Sequence, residues 1–161
     1  MTVNLNDVES AVIGDFVALE AIQSCEREYK QRLAANSMTE EVKFTYAWHL
    51  IKSQYKNDIT KGIGLMSELV KKGKDQRDFL YYIAVGYYKM EDYSAASDCI
   101  DRVLEIEPSN SQAKQVKALI SKKQFRDTLL GYGILGGAAV AGAAVAVGAA
   151  ALLALGLSRK H

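Results

Sequence analysis

The stretch that decides the fold runs from Arg77 to Asn110 and reads RDFLYYIAVGYYKMEDYSAASDCIDRVLEIEPSN. Apolar residues recur in it at steps of three and four on both sides of Asp92, as on two helices joined by a short turn. Pro108, the single proline of the chain, follows the second helix and cannot continue it. Because Ala84 and Ala96 lack bulk, the two helices can approach closely there. The stretch therefore predicts an antiparallel pair of helices.

Counted back from Pro108, the order of large and small residues is that of a tetratricopeptide repeat. The matching positions hold Leu80, Ile83, Ala84, Tyr87, Ala96, Ile100 and Val103. The preceding helices match more weakly. Phe44, Ala47, Trp48 and Ile51 align with Leu80, Ile83, Ala84 and Tyr87, and Gly62, Met66 and Leu69 align with Ala96, Ile100 and Val103. We predict two repeats, at about residues 39–73 and 77–110, with a wide helix crossing where Trp48 occupies a small-residue position.

Two repeats need further helices to bury their outer faces, because about three stacked units are required for stability. Residues 15–33 carry one apolar stripe, and an amphipathic segment follows Pro108, so both are predicted to cap the repeats. Residues 1–14 are less regular and are predicted to be an arm. The predicted fold class is all-α, a six-helix tetratricopeptide-like bundle of two repeats plus capping helices, spanning residues 15–127 and facing the cytosol.

The C-terminal stretch from Leu129 to Leu157 carries no charge and is rich in Gly and Ala. As a helix it would reach about 40 Å, more than the hydrocarbon core of a bilayer. Residues 128–157 are therefore predicted to be a transmembrane tail anchor, with a buried Ala-rich hairpin as the alternative. Gly133 and Gly137 form a GxxxG spacing, for which helix packing and a homo-oligomer are expected. In the basic tail, residues 158–161, Arg159 and Lys160 are predicted to carry targeting information.

The composition favours a binding protein over an enzyme. The chain has a net charge of +1, so nothing suggests nucleic acid as a partner. Cys25 and Cys99 form no CxxC pair, and His49 is the only histidine before the apolar stretch. No catalytic residues, metal site or cofactor are predicted, and the expected function is that of a scaffold or receptor.

In stacked repeats the first helices line a concave face. We predict an exposed apolar groove with basic edges there, suited to a peptide or helix of a partner. Its predicted residues are Thr45, His49 and Lys52 in the first repeat and Tyr81, Val85, Tyr88 and Lys89 in the second. The alternative is that Tyr81 and Tyr88 pack against the arm or the first helix. The two alternatives are compatible if the arm fills the groove until a partner displaces it.

Three stretches carry a resemblance to a known family: FTYAWHLIKSQYKNDITKGIGLM, QRDFLYYIAVGYYKMEDYSAA and EPSNSQAK. With the apolar C-terminal segment and its short basic tail, they resemble the mitochondrial fission one family over about residues 36–161. The resemblance implies a tail-anchored adaptor of the mitochondrial outer membrane, found also on peroxisomes, whose groove brings a dynamin-like GTPase or its adaptors to division sites. It assigns partner binding to Tyr81, Val85, Tyr88 and Lys89, and links the N-terminal arm to autoregulation.

Two other functions remain open at this point. The first is a tail-anchored co-chaperone or import receptor that reads acidic C-terminal peptides. This activity needs Asn, Lys and Arg on the concave face to hold a carboxylate, whereas the corresponding positions carry His49 and Tyr82. The second is a tether on the lysosome or the endoplasmic reticulum. A basic tail on a moderately apolar anchor favours mitochondria instead.

Overall fold

The computed structural model describes residues 4–14, 16–73 and 76–135, and in these ranges the chain forms seven α-helices and no strand. The helices are α1 (Leu5–Ile13), α2 (Leu19–Ala34), α3 (Glu40–Ile51), α4 (Lys56–Val70), α5 (Gln76–Lys89), α6 (Tyr93–Ile106) and α7 (Ser111–Leu135). The all-α fold class is confirmed. The six helices predicted for the repeats and their caps correspond to α2–α7, and the predicted arm contains one further helix, α1.

Helix α1 has the caps of a well-defined short helix. Asn4 precedes it, and its side-chain oxygen accepts a hydrogen bond from the backbone N–H of Asn6 at 3.0 Å. Gly14 ends it with φ +58°, a left-handed conformation that other residues rarely adopt. Val8 and Val12, one turn apart, are buried. The helix therefore depends on burial of one apolar edge, since nine residues are too few for a stable isolated helix.

The two predicted helix pairs are α3 with α4 and α5 with α6. The second pair has the predicted contact, with Ala84 and Ala96 both fully buried. In the first pair the crossing is close, not wide. A Cβ added to Gly62 would lie 2.8 Å from the carbonyl oxygen of Ala47 and 2.9 Å from Cγ1 of Ile51. Thus Ala47, and not Trp48, occupies the position of Ala84, and the predicted alignment of the first helices was wrong by one residue.

The main core joins α1 with α3, α4, α5, α6 and the first part of α7. Its fully buried members come from both repeats and from α7, and include Ala47, Met66, Leu80, Ile100, Val116 and Ile120. A second, smaller cluster of Ile22, Tyr46 and Leu50 forms where α2 packs on α3. Helices α2 and α7 thus cover the outer sides of the two repeats, as predicted for the capping helices.

Helix α7 continues beyond Lys123, the last residue of the compact unit that contains the repeats. Gly133 lies in its last turns, whereas Gly137, Arg159 and Lys160 lie outside the described residues. The same holds for most of the predicted membrane span. Among the helices of the described ranges, none has the length and apolar character needed to cross a membrane.

Candidate functional site

A cavity of about 490 Å³ lies beside α1, between α3, α5 and the region that leads into α7. We call this space the groove. Its apolar and aromatic wall is formed by Trp48 and Ile51 of α3 and by Tyr81, Tyr82 and Val85 of α5, and α1 closes one side with Ala11, Val12 and Gly14. Lys52, Arg77, Asp78, Glu107, Asn110 and Gln112 supply polar atoms around it. An apolar centre with a polar margin is the usual composition of a peptide-binding site.

The aromatic side chains in the groove are held in fixed relative orientations. The rings of Tyr81 and Tyr82 lie edge to face with centroids 5.8 Å apart. Lys52 places its Nζ 5.0 Å from the centroid of the Trp48 ring, a cation–π contact. Burial raises the pKa of Tyr81, and Gln112 partly offsets the increase through a hydrogen bond to its hydroxyl. The wall thus offers flat aromatic surface together with a positive charge.

Helix α1 is held beside the groove by a carboxylate as well as by its two buried valines. Glu9 Oε1 accepts a hydrogen bond from the Tyr88 hydroxyl at 2.9 Å and lies 2.5 Å from Lys123 Nζ. The hydrogen bond from Lys123 is the main reason that the pKa of Glu9 lies below its ordinary value, and the bond from Tyr88 lowers it further. Glu9 therefore joins α1 to both α5 and α7.

Lys89 is a half-buried cation that connects α5 with the end of α3. Its Nζ donates to the carbonyl oxygens of Ile51 at 2.8 Å and Ser53 at 3.0 Å, and the Phe16 ring lies 5.0 Å from it. Burial, and next the charge of Lys52, lower its pKa from 10.5 to about 8. Lys52 and Lys89 thus lie close together near the segment that connects α1 with α2.

The margin at the other end consists of paired charges. Arg77 lies 2.7 Å from a carboxylate oxygen of Glu107 and 2.7 Å from one of Asp78. Asn110 donates to Glu107 at 2.9 Å, and this bond and then the one from Arg77 lower the pKa of Glu107. These contacts hold the start of α5 beside the turn before α7, which fixes the width of the groove at that end.

The predicted groove residues divide into three sets. Lys52, Tyr81 and Val85 line the groove, although Val85 is buried. Tyr88 and Lys89 lie next to it but contact α1 and the end of α3, and Tyr88 is buried, so the predicted exposure of this face was wrong for Val85 and Tyr88. The third set is Thr45 and His49.

Thr45 and His49 belong to the side of α3 that faces α2. His49 Nδ1 lies 2.7 Å from the carbonyl oxygen of Thr45 and 3.6 Å from Cys25 Sγ on α2. Trp48 takes the place in the groove that the prediction gave to His49. The corrected alignment, in which YAWHLIK matches IAVGYYK, would have revealed this from the sequence, because it pairs Trp48 with Val85 and Lys52 with Lys89.

The described residues contain no group of three or more His, Cys, Asp and Glu side chains that could hold a metal ion. Cys25 and His49 are close, but burial raises the pKa of the Cys25 thiol and so disfavours the thiolate that a metal requires. The arrangement of the described residues offers binding surface.

Paired antiparallel helices with a groove along their first members define a tetratricopeptide-type binding protein. Comparison with known proteins gives the family. The model described as Fis1 N-terminal tetratricopeptide repeat matches residues 41–73, and the Fis1 C-terminal tetratricopeptide repeat model matches residues 77–129. The chain belongs to the mitochondrial fission 1 (Fis1) family, which is a family of tetratricopeptide-type adaptors and not of enzymes. The resemblance drawn from the sequence is thereby confirmed.

Relatives from animals and fungi agree with this assignment. The mitochondrial fission 1 proteins of Bos taurus and Homo sapiens are each 40% identical over 131 residues, covering 80% of this chain and 86% of theirs. The crystal structure of fission protein Fis1 from Saccharomyces cerevisiae matches with a TM-score of 0.67 at 26% identity, over 82% of this chain and 98% of that one. Yeast Fis1 in complex with an Mdv1 fragment matches with the same TM-score and identity, over 79% of this chain and 99% of that one.

Proposed function

We propose that this chain is a non-enzymatic adaptor that promotes mitochondrial fission by recruiting a dynamin-like GTPase or its adaptor proteins through the groove. The observation that carries the proposal is the groove itself, an aromatic cavity of about 490 Å³ on the concave side of two repeats. Tyr81, Tyr82 and Trp48 are large, rigid side chains of the kind that dominate binding energy at protein interfaces. The complex of yeast Fis1 with an Mdv1 fragment supports a protein partner.

The membrane part of the proposal rests on the sequence. Residues 128–157 anchor the chain in the mitochondrial outer membrane, and in the membrane of peroxisomes, with residues 15–127 in the cytosol. Arg159 and Lys160 direct it there, and Gly133 and Gly137 pack two such anchors into a homo-oligomer. The uncharged stretch from Leu129 to Leu157 supports a span of the bilayer.

The test compares two tyrosine-to-alanine variants, one in the groove and one outside it, in cells that lack the endogenous protein. Tyr81→Ala removes a ring from the groove wall, whereas Tyr55→Ala removes an equal ring from a side chain that is 54% exposed and does not line the groove. The full chain with Tyr55→Ala should restore mitochondrial length and GTPase recruitment. The Tyr81→Ala chain should reach mitochondria in equal amount and restore neither.

Circular dichroism of both purified variants controls for loss of fold. Equal restoration by folded Tyr81→Ala and Tyr55→Ala chains would contradict the groove as the partner site. A chain that restores fission after its C-terminal apolar segment is replaced by a soluble sequence would contradict the membrane part.

A further inference from the structure

The groove has charged side chains at both of its ends. Lys52 lines it where α3 ends, whereas Asp78 lines it at the start of α5 with Glu107 nearby. Lys89, at the other end of α5, lies beside Lys52. Because a helix rises 1.5 Å per residue, the part of α5 from Asp78 to Lys89 spans about 16 Å. The charges of the two ends can therefore be read separately by one short partner segment.

The end at α3 keeps a positive charge that nothing described in the chain neutralises. Lys52 holds its Nζ over the Trp48 ring, and no carboxylate of the described residues lies within ion-pair distance of it. Lys89 donates to the carbonyl oxygens of Ile51 and Ser53, which are neutral acceptors. This end of the groove is therefore positive.

The end at α5 has two carboxylates that share one guanidinium. Arg77 lies 2.7 Å from Oδ1 of Asp78 and 2.7 Å from Oε2 of Glu107. Asn110 also donates to Glu107 but carries no charge. The side chains of Asp78 and Glu107 are 54% and 36% exposed, so a partner can reach both of them. One negative charge thus remains at this end.

The wall between the two ends is apolar, with Trp48, Tyr81 and Val85 along it. The ends of α3 and α5 carry partial charges of the opposite sign, but these amount to about half an elementary charge each and do not reverse the difference. Opposite charges across an interface favour association, whereas like charges brought together oppose it. The groove therefore discriminates between segments by the charge at each of their ends.

We propose that the groove binds a helical partner segment with opposite charges at its two ends, a basic residue beside Asp78 and Glu107 and an acidic residue beside Lys52, with apolar residues between them. The inference rests on the proposed function of the groove and specifies the chemistry of its partner. At 1.5 Å per residue, the basic and acidic residues of such a helix are about 11 positions apart.

The test uses labelled helical peptides of about 13 residues, which is the length that places charges at both ends of the groove. All have the same leucine and alanine centre. The first has two lysines at one end and two glutamates at the other, the second has lysines at both ends, and the third has glutamates at both ends. The full chain is held in nanodiscs of zwitterionic lipid, and empty nanodiscs measure binding to lipid alone. In fluorescence anisotropy the first peptide should bind at least about fivefold more tightly than either of the others.

Charge reversals in the chain then identify which end reads which charge. Lys52→Glu should weaken binding of the first peptide about tenfold and make the peptide with lysines at both ends the tighter ligand. Asp78→Lys should have the corresponding effect in favour of the peptide with glutamates at both ends. Lys56→Glu and Asp98→Lys make the same charge changes at exposed positions outside the groove and should alter affinity less than about twofold. Circular dichroism verifies that every variant is folded.

The reversals also control for the peptides themselves, since a difference in their helicity cannot change sign with a residue of the chain. Three results would overturn the inference: no binding of the first peptide, equal binding of all three peptides, or an order of affinities that Lys52→Glu and Asp78→Lys leave unchanged. The two proposals fail separately. A Tyr81→Ala chain that supports normal fission contradicts the proposed function, whereas equal binding of the three peptides contradicts only the charge pattern of the partner.

Discussion

Two glycines of α4 provide a sharp test of the close crossing between α3 and α4. A methyl group added at Gly62 would lie 2.8 Å from the Ala47 carbonyl oxygen, 2.9 Å from Ile51 Cγ1 and 3.0 Å from the Ile51 backbone nitrogen. Two of these atoms belong to the backbone of a packed helix, so they cannot move aside without shifting α3. At Gly64, two residues further, an added methyl group meets nothing within 4 Å.

The expected changes in stability have opposite signs. Alanine is favoured over glycine in a helix by about 1 kcal/mol, so Gly64→Ala should stabilise the fold by up to that amount. Gly62→Ala gains the same helix propensity but overpacks the crossing. Overpacking costs about 1–3 kcal/mol, and the cost is near the top of this range where backbone atoms must move. We therefore expect a net destabilisation of about 2 kcal/mol for Gly62→Ala.

Urea unfolding of the purified full chain, followed by far-UV circular dichroism, measures both variants. The Gly64→Ala chain serves as the matched control, since the substitution and the helix are the same. A Gly62→Ala chain as stable as the Gly64→Ala chain would refute the close crossing and with it the corrected alignment of the first repeat.

Three further predictions concern single side chains. Tyr88→Phe removes the hydroxyl that donates to Glu9, so amide hydrogen exchange in α1 should accelerate while the exchange of α3 to α6 stays unchanged; equal exchange in α1 would contradict the role of this bond. Thr39→Ala deletes the oxygen that accepts from the Val42 N–H and should destabilise the fold by about 1 kcal/mol in urea unfolding, whereas no change would contradict it as the cap of α3. Lys89 has a pKa of about 8 in the folded chain and an ordinary pKa of 10.5 in the unfolded chain. Between these two pH values the unfolded chain holds a proton on Lys89 that the folded chain has lost, so the free energy of unfolding should rise with pH there. The urea midpoint of a Lys89→Met chain should not rise with pH in this range. An unchanged rise would show that Lys89 is not its cause.

The second repeat could be predicted from the sequence because its small residues and its proline fix one register. Ala84, Ala96, Ile100 and Val103 are all buried as the pattern requires. The first repeat was harder, because α3 is contacted by α2 on one side and by α4 and α5 on the other. An apolar residue therefore occurs on nearly every side of α3, and periodicity does not distinguish the side that faces the groove from the side that faces α2.

The same ambiguity explains the errors in the candidate site. A shift of one residue along α3 rotates every side chain by about 100°, which exchanged His49 for Trp48 in the groove. The sequence did not predict helix α1, for a different reason. Its nine residues have little helical stability of their own, and the Tyr88 and Lys123 side chains that hold Glu9 are distant in sequence. Contacts of that kind arise only in the folded chain.

Hydrogen exchange of the full chain, with and without a purified adaptor protein of the fission machinery, would show directly whether the groove is the partner site. If the partner binds in the groove, we expect slower exchange in the part of α5 around Tyr81. Protection confined to α2 or the outer side of α6, with the exchange of the residues around Tyr81 unchanged, would contradict the groove as the partner site.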